Sequence, residues 1–209
     1  GNDTAWKWRF RNAMGRLKGS WPVAALIGGA WLVMAGFGYY NTKVLNTYTT
    51  NDEQEELEGR YEKDYKKYEH MPQPHYTDVS YYINLDPAAR SLVYSAGIVL
   101  KNKDKVSIDT LYFNVPHRMH VKLDIPGAEL VLNDSALDQR MYRLATPLQP
   151  GETIKFTSTG SWHPKGISNN VEFTSIVDNG SFFNNRDLIP GIVYDANGEI
   201  QDREMRLKH

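Results

Sequence analysis

The chain has 209 residues, 41% of them hydrophobic and 23% charged, with a formal net charge of −1, no cysteine and a mean hydropathy of −0.55. No disulfide scaffold, cysteine-ligated zinc or iron–sulfur site, or cysteine nucleophile is available to it. A near-neutral total also argues against a nucleic-acid partner, which selects for a basic excess.

Those averages hide a segregated chain. Residues 1–20 carry Lys7, Arg9, Arg11, Arg16 and Lys18 against Asp3 alone, a net of +4, so the other residues carry −5. Residues 21–40, WPVAALIGGAWLVMAGFGYY, contain no charge. Twenty helical residues cover roughly 30 Å, the thickness of a bilayer core. Trp21 at one end and Tyr39 and Tyr40 at the other suit the two interfacial belts. A cleaved signal peptide has a shorter apolar region and a small-residue cleavage site, whereas this run ends in aromatics. Residues 1–20 are therefore expected in the cytoplasm and everything after Asn41 outside it, because cations concentrate on the cytoplasmic side. Ala24, Ala25, Gly28 and Gly29 have small-xxx-small spacing, which admits close approach by other transmembrane helices.

Residues 41–74 read as a linker with a charged helix. In the stretch 51–70, Leu57, Tyr61, Tyr65 and Tyr68 form a narrow apolar stripe at helical spacing, and Thr50 with Glu53 fits a capping box. A helix this polar is a spacer, or docks by one edge. Pro72 and Pro74 close it off.

From residue 75 to 209 the period changes to two. Val79, Tyr81, Ile83 and Leu85 alternate with polar residues, and similar runs cover 92–100, 106–115, 119–125, 129–132, 141–144, 153–157 and 171–177. Turn chemistry separates them at Asp86-Pro87, Asn102-Lys103-Asp104, Pro126-Gly127, Pro150-Gly151 and Asp178-Asn179-Gly180. The predicted fold class is mainly β: one transmembrane helix, a polar juxtamembrane helix, then an antiparallel β-sandwich or saddle-like sheet.

Catalytic motifs are absent from the sequence: there is no H-E-x-x-H, no Walker loop, no G-x-S-x-G and no G-x-G-x-x-G. On a strand, His117 and His120 would fall on opposite faces, and a shared metal is not expected there. Asp124, Asp134 and Asp138 lie beside turns, where aspartate serves local hydrogen bonds. Asn133-Asp134-Ser135 and Asn179-Gly180-Ser181 match glycosylation sequons but read equally as turns. The irregular stretch 179–195 collects two Phe, three Asn, an Arg and a Pro-Gly, the kind of segment that forms a binding surface on a sheet.

The order of several segments carries a resemblance. The membrane helix is followed by Tyr40-Asn-Thr-Lys-Val-Leu-Asn-Thr-Tyr48, Tyr61-Glu-Lys-Asp-Tyr-Lys-Lys-Tyr68 and Pro72-Gln-Pro74. Then come Asn84-Leu-Asp-Pro-Ala-Ala-Arg90, Ile108-Asp-Thr-Leu111, Asn179-Gly-Ser-Phe-Phe-Asn184 and Ile189-Pro-Gly-Ile-Val-Tyr194. From about Trp21 onward the chain resembles bacterial membrane proteins that join an ABC-type permease to a periplasmic zinc aminopeptidase of the aminopeptidase N class. The resemblance implies that 41–209 is the linker and N-terminal β-domain of the peptidase part. It implies too a bacterial inner-membrane location with the β-domain in the periplasm.

The resemblance places zinc and its H-E-x-x-H helix in a later catalytic domain, with no cofactor in this chain. The β-domain of such peptidases walls the cleft and offers a polar side chain to the peptide's free amine. By position that role falls to Asn179, Asn184 or Asn185, where other members have Gln or Glu. A start at Gly1 and a charged end suggest an excerpt of a longer protein. Two readings follow. One is a non-catalytic wall of a peptidase cleft, partnered by the membrane, the catalytic domain and peptides. The other is a single-pass membrane-anchored β-sandwich used as an interaction or assembly module.

Overall fold

The structure, a computed structural model, describes residues 3–46, 49–117, 119–163, 166, 176–177, 180–202 and 206. The chain divides into two compact units, one of Gly1–Tyr48 with Lys165–Asn169 and the other of Thr49–Pro164 and Asn170–His209.

The first unit is helical. Helix α1 (Asp3–Tyr39) is broken at Ser20, whose φ of −114° and ψ of 16° are not helical. Pro22 explains the break, because its ring crowds the preceding turn and it brings no N–H. The basic segment before the break is itself helical. Beyond it, Gly19–Leu45 is long and apolar enough to cross a membrane, and its most apolar stretch is not buried in the protein, although Asn41 near its end is. Trp31, Leu32, Val33 and Met34 are all at least 65% exposed. The helix loosens at its end into a π-helical turn, Tyr40–Leu45. There the side chains bond back to the last carbonyls, Asn41 Nδ2 to Phe37 O at 2.9 Å and Thr42 Oγ1 to Gly38 O at 2.8 Å.

The second unit opens with helix α2 (Asn51–Tyr65). The capping box is present as the sequence predicts: Glu53 N donates to Thr50 Oγ1 at 3.2 Å and Thr50 N donates to Glu53 Oε2 at 2.7 Å. The α-helix stops at Tyr65, ahead of the prolines, and tightens into a 3-10 turn over Lys66–Tyr68. That tightening keeps Tyr68 against Tyr112, with ring centroids 5.9 Å apart.

Seven long strands follow: β1 (His75–Asp86), β2 (Ser91–Lys101), β3 (Ile108–Asn114), β4 (His120–Asp124), β5 (Ala128–Asp134), β6 (Gln139–Leu148) and β7 (Thr153–Trp162). Short pieces complete the unit: β8 (Ile176–Val177), β9 (Gly180–Ser181), helix α3 (Asn185–Leu188) and β10 (Gly191–Ile192). The run predicted at 171–177 is described only at Ile176 and Val177.

Two four-stranded antiparallel sheets form, ordered β1-β2-β7-β4 and β10-β3-β6-β5. Between them sits a core of alternate residues: Leu92, Tyr94, Ala96, Ile98 and Leu100 from β2, and Leu111 and Phe113 from β3. Tyr142 and Leu144 of β6 and Phe156 of β7 complete its centre. This is the period-two pattern turned into burial, since successive side chains leave a strand on opposite faces.

Along β3 and the start of β6 the second sheet is buried on both faces. Tyr112 on β3 and Met141 on β6 point away from the sandwich core into a second cluster with Tyr61, Tyr65 and Tyr194. Helix α2 supplies the cover. The narrow stripe read from the sequence docks it by one edge, so it belongs to the β-unit and does not hang free as a spacer.

One buried amide completes the β3 edge where β10 is too short to pair. Gln73 Nε2 donates to Thr110 O at 2.9 Å, and its Oε1 accepts from Tyr112 N at 2.8 Å. The side chain thereby substitutes for a strand neighbour, which a buried backbone requires.

Candidate functional site

Two neighbouring features of the second unit gather polar groups. The first is the segment that the sequence singles out. Asn179 lies outside the described residues. Asn184 is exposed and caps α3: its Oδ1 accepts from Arg186 N at 2.8 Å, while Asp187 Oδ2 accepts from Asn184 N at 2.7 Å. Asn185 is the exposed first residue of that helix. The two phenylalanines divide: Phe183 packs against the core and Phe182 stands 81% exposed. Leu188 and Pro190 anchor the segment in the core, and Tyr76 Oη donates to Pro190 O at 2.5 Å. Gly191 and Ile192 then pair with Asn114 and Phe113 of β3. The segment therefore runs from the β1 edge of one sheet to the β3 edge of the other, and presents Phe182, Asn184 and Asn185 on its outside.

Because Asn184 holds the cap, its replacement has a structural component. Asn184→Ala is expected to cost about 1 kcal/mol and Asn184→Ser close to nothing, since serine caps as well. Thermal unfolding of the two variants checks this. The serine variant is then the clean reagent for any ligand role of the amide.

The second feature is not legible in sequence spacing. Tyr61 and Tyr194 stack at 4.9 Å between centroids and 4° between planes, and Tyr65 stacks on Tyr112 at 6.0 Å and 7°. Tyr61 also stacks on Tyr65 at 5.7 Å, so four rings form a continuous pile between α2, β3 and the segment after β10. Tyr61 Oη accepts from Asp195 N at 2.9 Å. Val193 has φ 91°, a left-handed value that a β-branched residue adopts only at a cost of about 1–3 kcal/mol. It reverses the chain between the Ile192 pairing and the Tyr194 stack, both of which hold it there.

Two carboxylates lock the pile. Glu199, 8% exposed, accepts from Tyr194 Oη at 2.9 Å, from Lys66 Nζ at 3.1 Å and from Arg206 Nη2 at 2.9 Å. Glu62 lies 3.4 Å from Arg206 and 3.5 Å from Lys66, closing a four-charge cluster. At the other end Asp134 accepts from Tyr65 Oη at 3.1 Å and from Arg60. Asp134 also holds its own turn through Ala136 N and Leu137 N, so it does more than the local work its position suggests. A shallow hollow of about 360 Å³ lies over the four-charge cluster, lined by Gly59, Glu62, Lys63, Lys66, Ile200 and Arg206.

The chemistry is that of a static lock. The Lys66 hydrogen bond, then that of Tyr194, holds the Glu199 carboxyl below its ordinary range against the opposing effect of burial. Burial pushes the phenols of Tyr61, Tyr65, Tyr112 and Tyr194 above theirs. Carboxylate and phenols thus stay in their neutral-pH states, with both Glu199 oxygens occupied by donors. Among the described residues no group of three His, Cys, Asp or Glu side chains is placed to hold a metal. His117, in the turn before β4, sits 2.5 Å from Asp138 Oδ2, while His120 is the exposed first residue of that strand.

No family model matches the chain, and no curated protein matches it.

The pH dependence of the lock follows from the signs. Glu199 has a lowered folded pKa, so its contribution is complete above the unfolded value, about 4.3, and fades as pH falls below that. The phenols have raised folded values, so theirs is complete below about 10 and is lost as pH rises further. Docking of α2 should be strongest between about pH 5 and 9. Tyrosinate absorbance should show that, of the 13 tyrosines, those in the pile ionise only as the unit unfolds.

Proposed function

We propose that this chain is the membrane-anchored, non-catalytic β-domain of a larger membrane protein. Residues 1–20 are cytoplasmic, residues 21–40 span a bacterial inner membrane, and the sandwich is periplasmic. Its role is to stand as one wall of an aminopeptidase-like cleft whose zinc and catalytic residues belong to another domain, with Phe182, Asn184 and Asn185 on the rim offered to peptide. The observation that carries this reading is the lock on α2. Only residues 46–50 separate the candidate membrane helix from a helix bolted to the sandwich by four tyrosines and two carboxylates. The lock makes α2 part of the β-unit's own surface, as a unit that serves as a fixed wall requires.

The test uses the absence of cysteine from the chain. A single cysteine is placed at Asn12 or at Glu129 in the full-length protein, freed of other cysteines, and spheroplasts are treated with a membrane-impermeant maleimide. Labelling at 129 and not at 12 is expected; labelling at 12 from outside overturns the orientation. The peptidase part is tested by the reading frame after His209, where an H-E-x-x-H helix is expected. A stop codon there removes that part and leaves an anchored interaction module.

A further inference from the structure

The helical segment before the Ser20 break has no role in the anchoring just proposed, which needs only its positive charge. We propose that residues 3–19 form a second membrane-binding element: an amphipathic helix that lies flat on the anionic lipid surface through which the following helix passes. The proposal rests on the membrane-anchor reading.

The arrangement of side chains carries it. Trp6, Phe10 and Met14 recur every four residues and, at 3.6 residues per turn, occupy a sector of roughly 80°. All three are more than half exposed, at 58%, 60% and 51%, and the Trp6 and Phe10 rings lie 6.5 Å apart on that face. Lys7 and Arg11 flank the stripe on one side and Arg9 on the other. Asn12 lies nearly opposite, and Trp8 is the one large aromatic on the polar side. Cations bordering an apolar stripe let the rings enter the acyl boundary while the charges sit among phosphates. After Asp3 the segment contains no acidic residue, so it complements an anionic surface and no part of it repels one.

The Ser20 break supplies the necessary joint. A continuous helix would carry Lys7, Arg9 and Arg11 straight on along the axis of the span and lift Trp6, Phe10 and Met14 into water. A non-helical Ser20 with Pro22 behind it lets the axis turn at the membrane surface, where the adjacent Trp21 is at home.

The experiment reconstitutes the full chain into vesicles of phosphatidylcholine alone or with phosphatidylglycerol. An environment-sensitive fluorophore is placed at Met14→Cys on the stripe or Asn12→Cys on the polar side. Flotation after alkaline carbonate extraction reports the anchor separately, so a chain that fails to float refutes the anchor reading and not the docking alone. In chains that do float, the expected result is a position-14 probe quenched by brominated lipid and shielded from iodide only when phosphatidylglycerol is present. The position-12 probe should stay open to iodide. High salt, or the variant Lys7→Gln/Arg9→Gln/Arg11→Gln, should reduce the shielding at position 14 about tenfold or more. Equal iodide access at both positions in anionic vesicles overturns the proposal and leaves the stripe for a protein partner. Equal shielding at both positions in either lipid overturns it as well, because the segment would then be a continuation of the span.

Discussion

Tyr61→Ala should release α2 from the sandwich at a cost of about 3–4 kcal/mol. Tyr61 is 5% exposed and lies between Tyr194 and Tyr65 in the pile. Its removal takes away two stacked contacts, opens a void, and leaves Asp195 N without its acceptor. Tyr61→Phe keeps the rings and loses the hydroxyl that accepts from Asp195 N, so about 1 kcal/mol is expected. Hydrogen exchange over residues 51–65, with thermal unfolding of the full chain in detergent, separates the two variants. If Tyr61→Ala leaves exchange in α2 unchanged, the tyrosine pile is not what holds the helix, and the support for an anchored wall falls with it. Release would also return α2 to the polar spacer that its composition describes.

Gly160→Ala is the second large effect, and it strikes the opposite sheet. A Cβ at residue 160 would sit 2.1 Å from Tyr94 Cε1 and 2.7 Å from its Cζ. Tyr94 is 1% exposed and bonded through its hydroxyl to Ser158 Oγ at 3.0 Å, so it has no free direction in which to retreat. Strand β7 cannot retreat either, because it is paired with β2 on one side and β4 on the other. Overpacking at such a site should cost about 3 kcal/mol. Tyr94→Leu removes the atoms that clash, and the double variant should recover part of that loss. A double-mutant cycle should therefore show coupling of more than about 1 kcal/mol. Strictly additive losses would mean that the Tyr94 ring is not what excludes the methyl group.

Much of the architecture is legible in one dimension because it rests on local periodicity. The uncharged run at 21–40, the capping box at Thr50 and Glu53, and the alternation through Val79, Tyr81, Ile83 and Leu85 each use neighbours a few residues apart. The basic segment at 1–20 is read from the sequence only for its charge, and the structure adds that it is helical. The site is less legible. Asn184 attracts notice as an amide in an irregular segment, but that residue type is equally what a helix cap requires, and only the bond to Arg186 N separates the two uses.

The lock on α2 brings together residues 61, 65, 112, 134 and 194–206, and no period connects them. Glu199 reads as one acidic residue among many until folding sets Lys66, Tyr194 and Arg206 around it. Tyr112 lies between Leu111 and Phe113, so alternation alone sends it to an outer face, and nothing local says that this face is covered.

Composition and spacing determined by themselves that a basic end, an apolar run, a polar helix and an antiparallel β-unit follow one another. Those elements depend on the burial of one face of a single helix or strand, and the pattern of that face is written in consecutive residues. Only the tertiary structure decided that α2 belongs to the sandwich, that Gln73 stands in for a strand, and that Asp134 and Glu199 clamp a pile of tyrosines. Each of those contacts joins groups far apart in the chain. Their strength comes from burial and stacking geometry, which do not exist until the two sheets have closed.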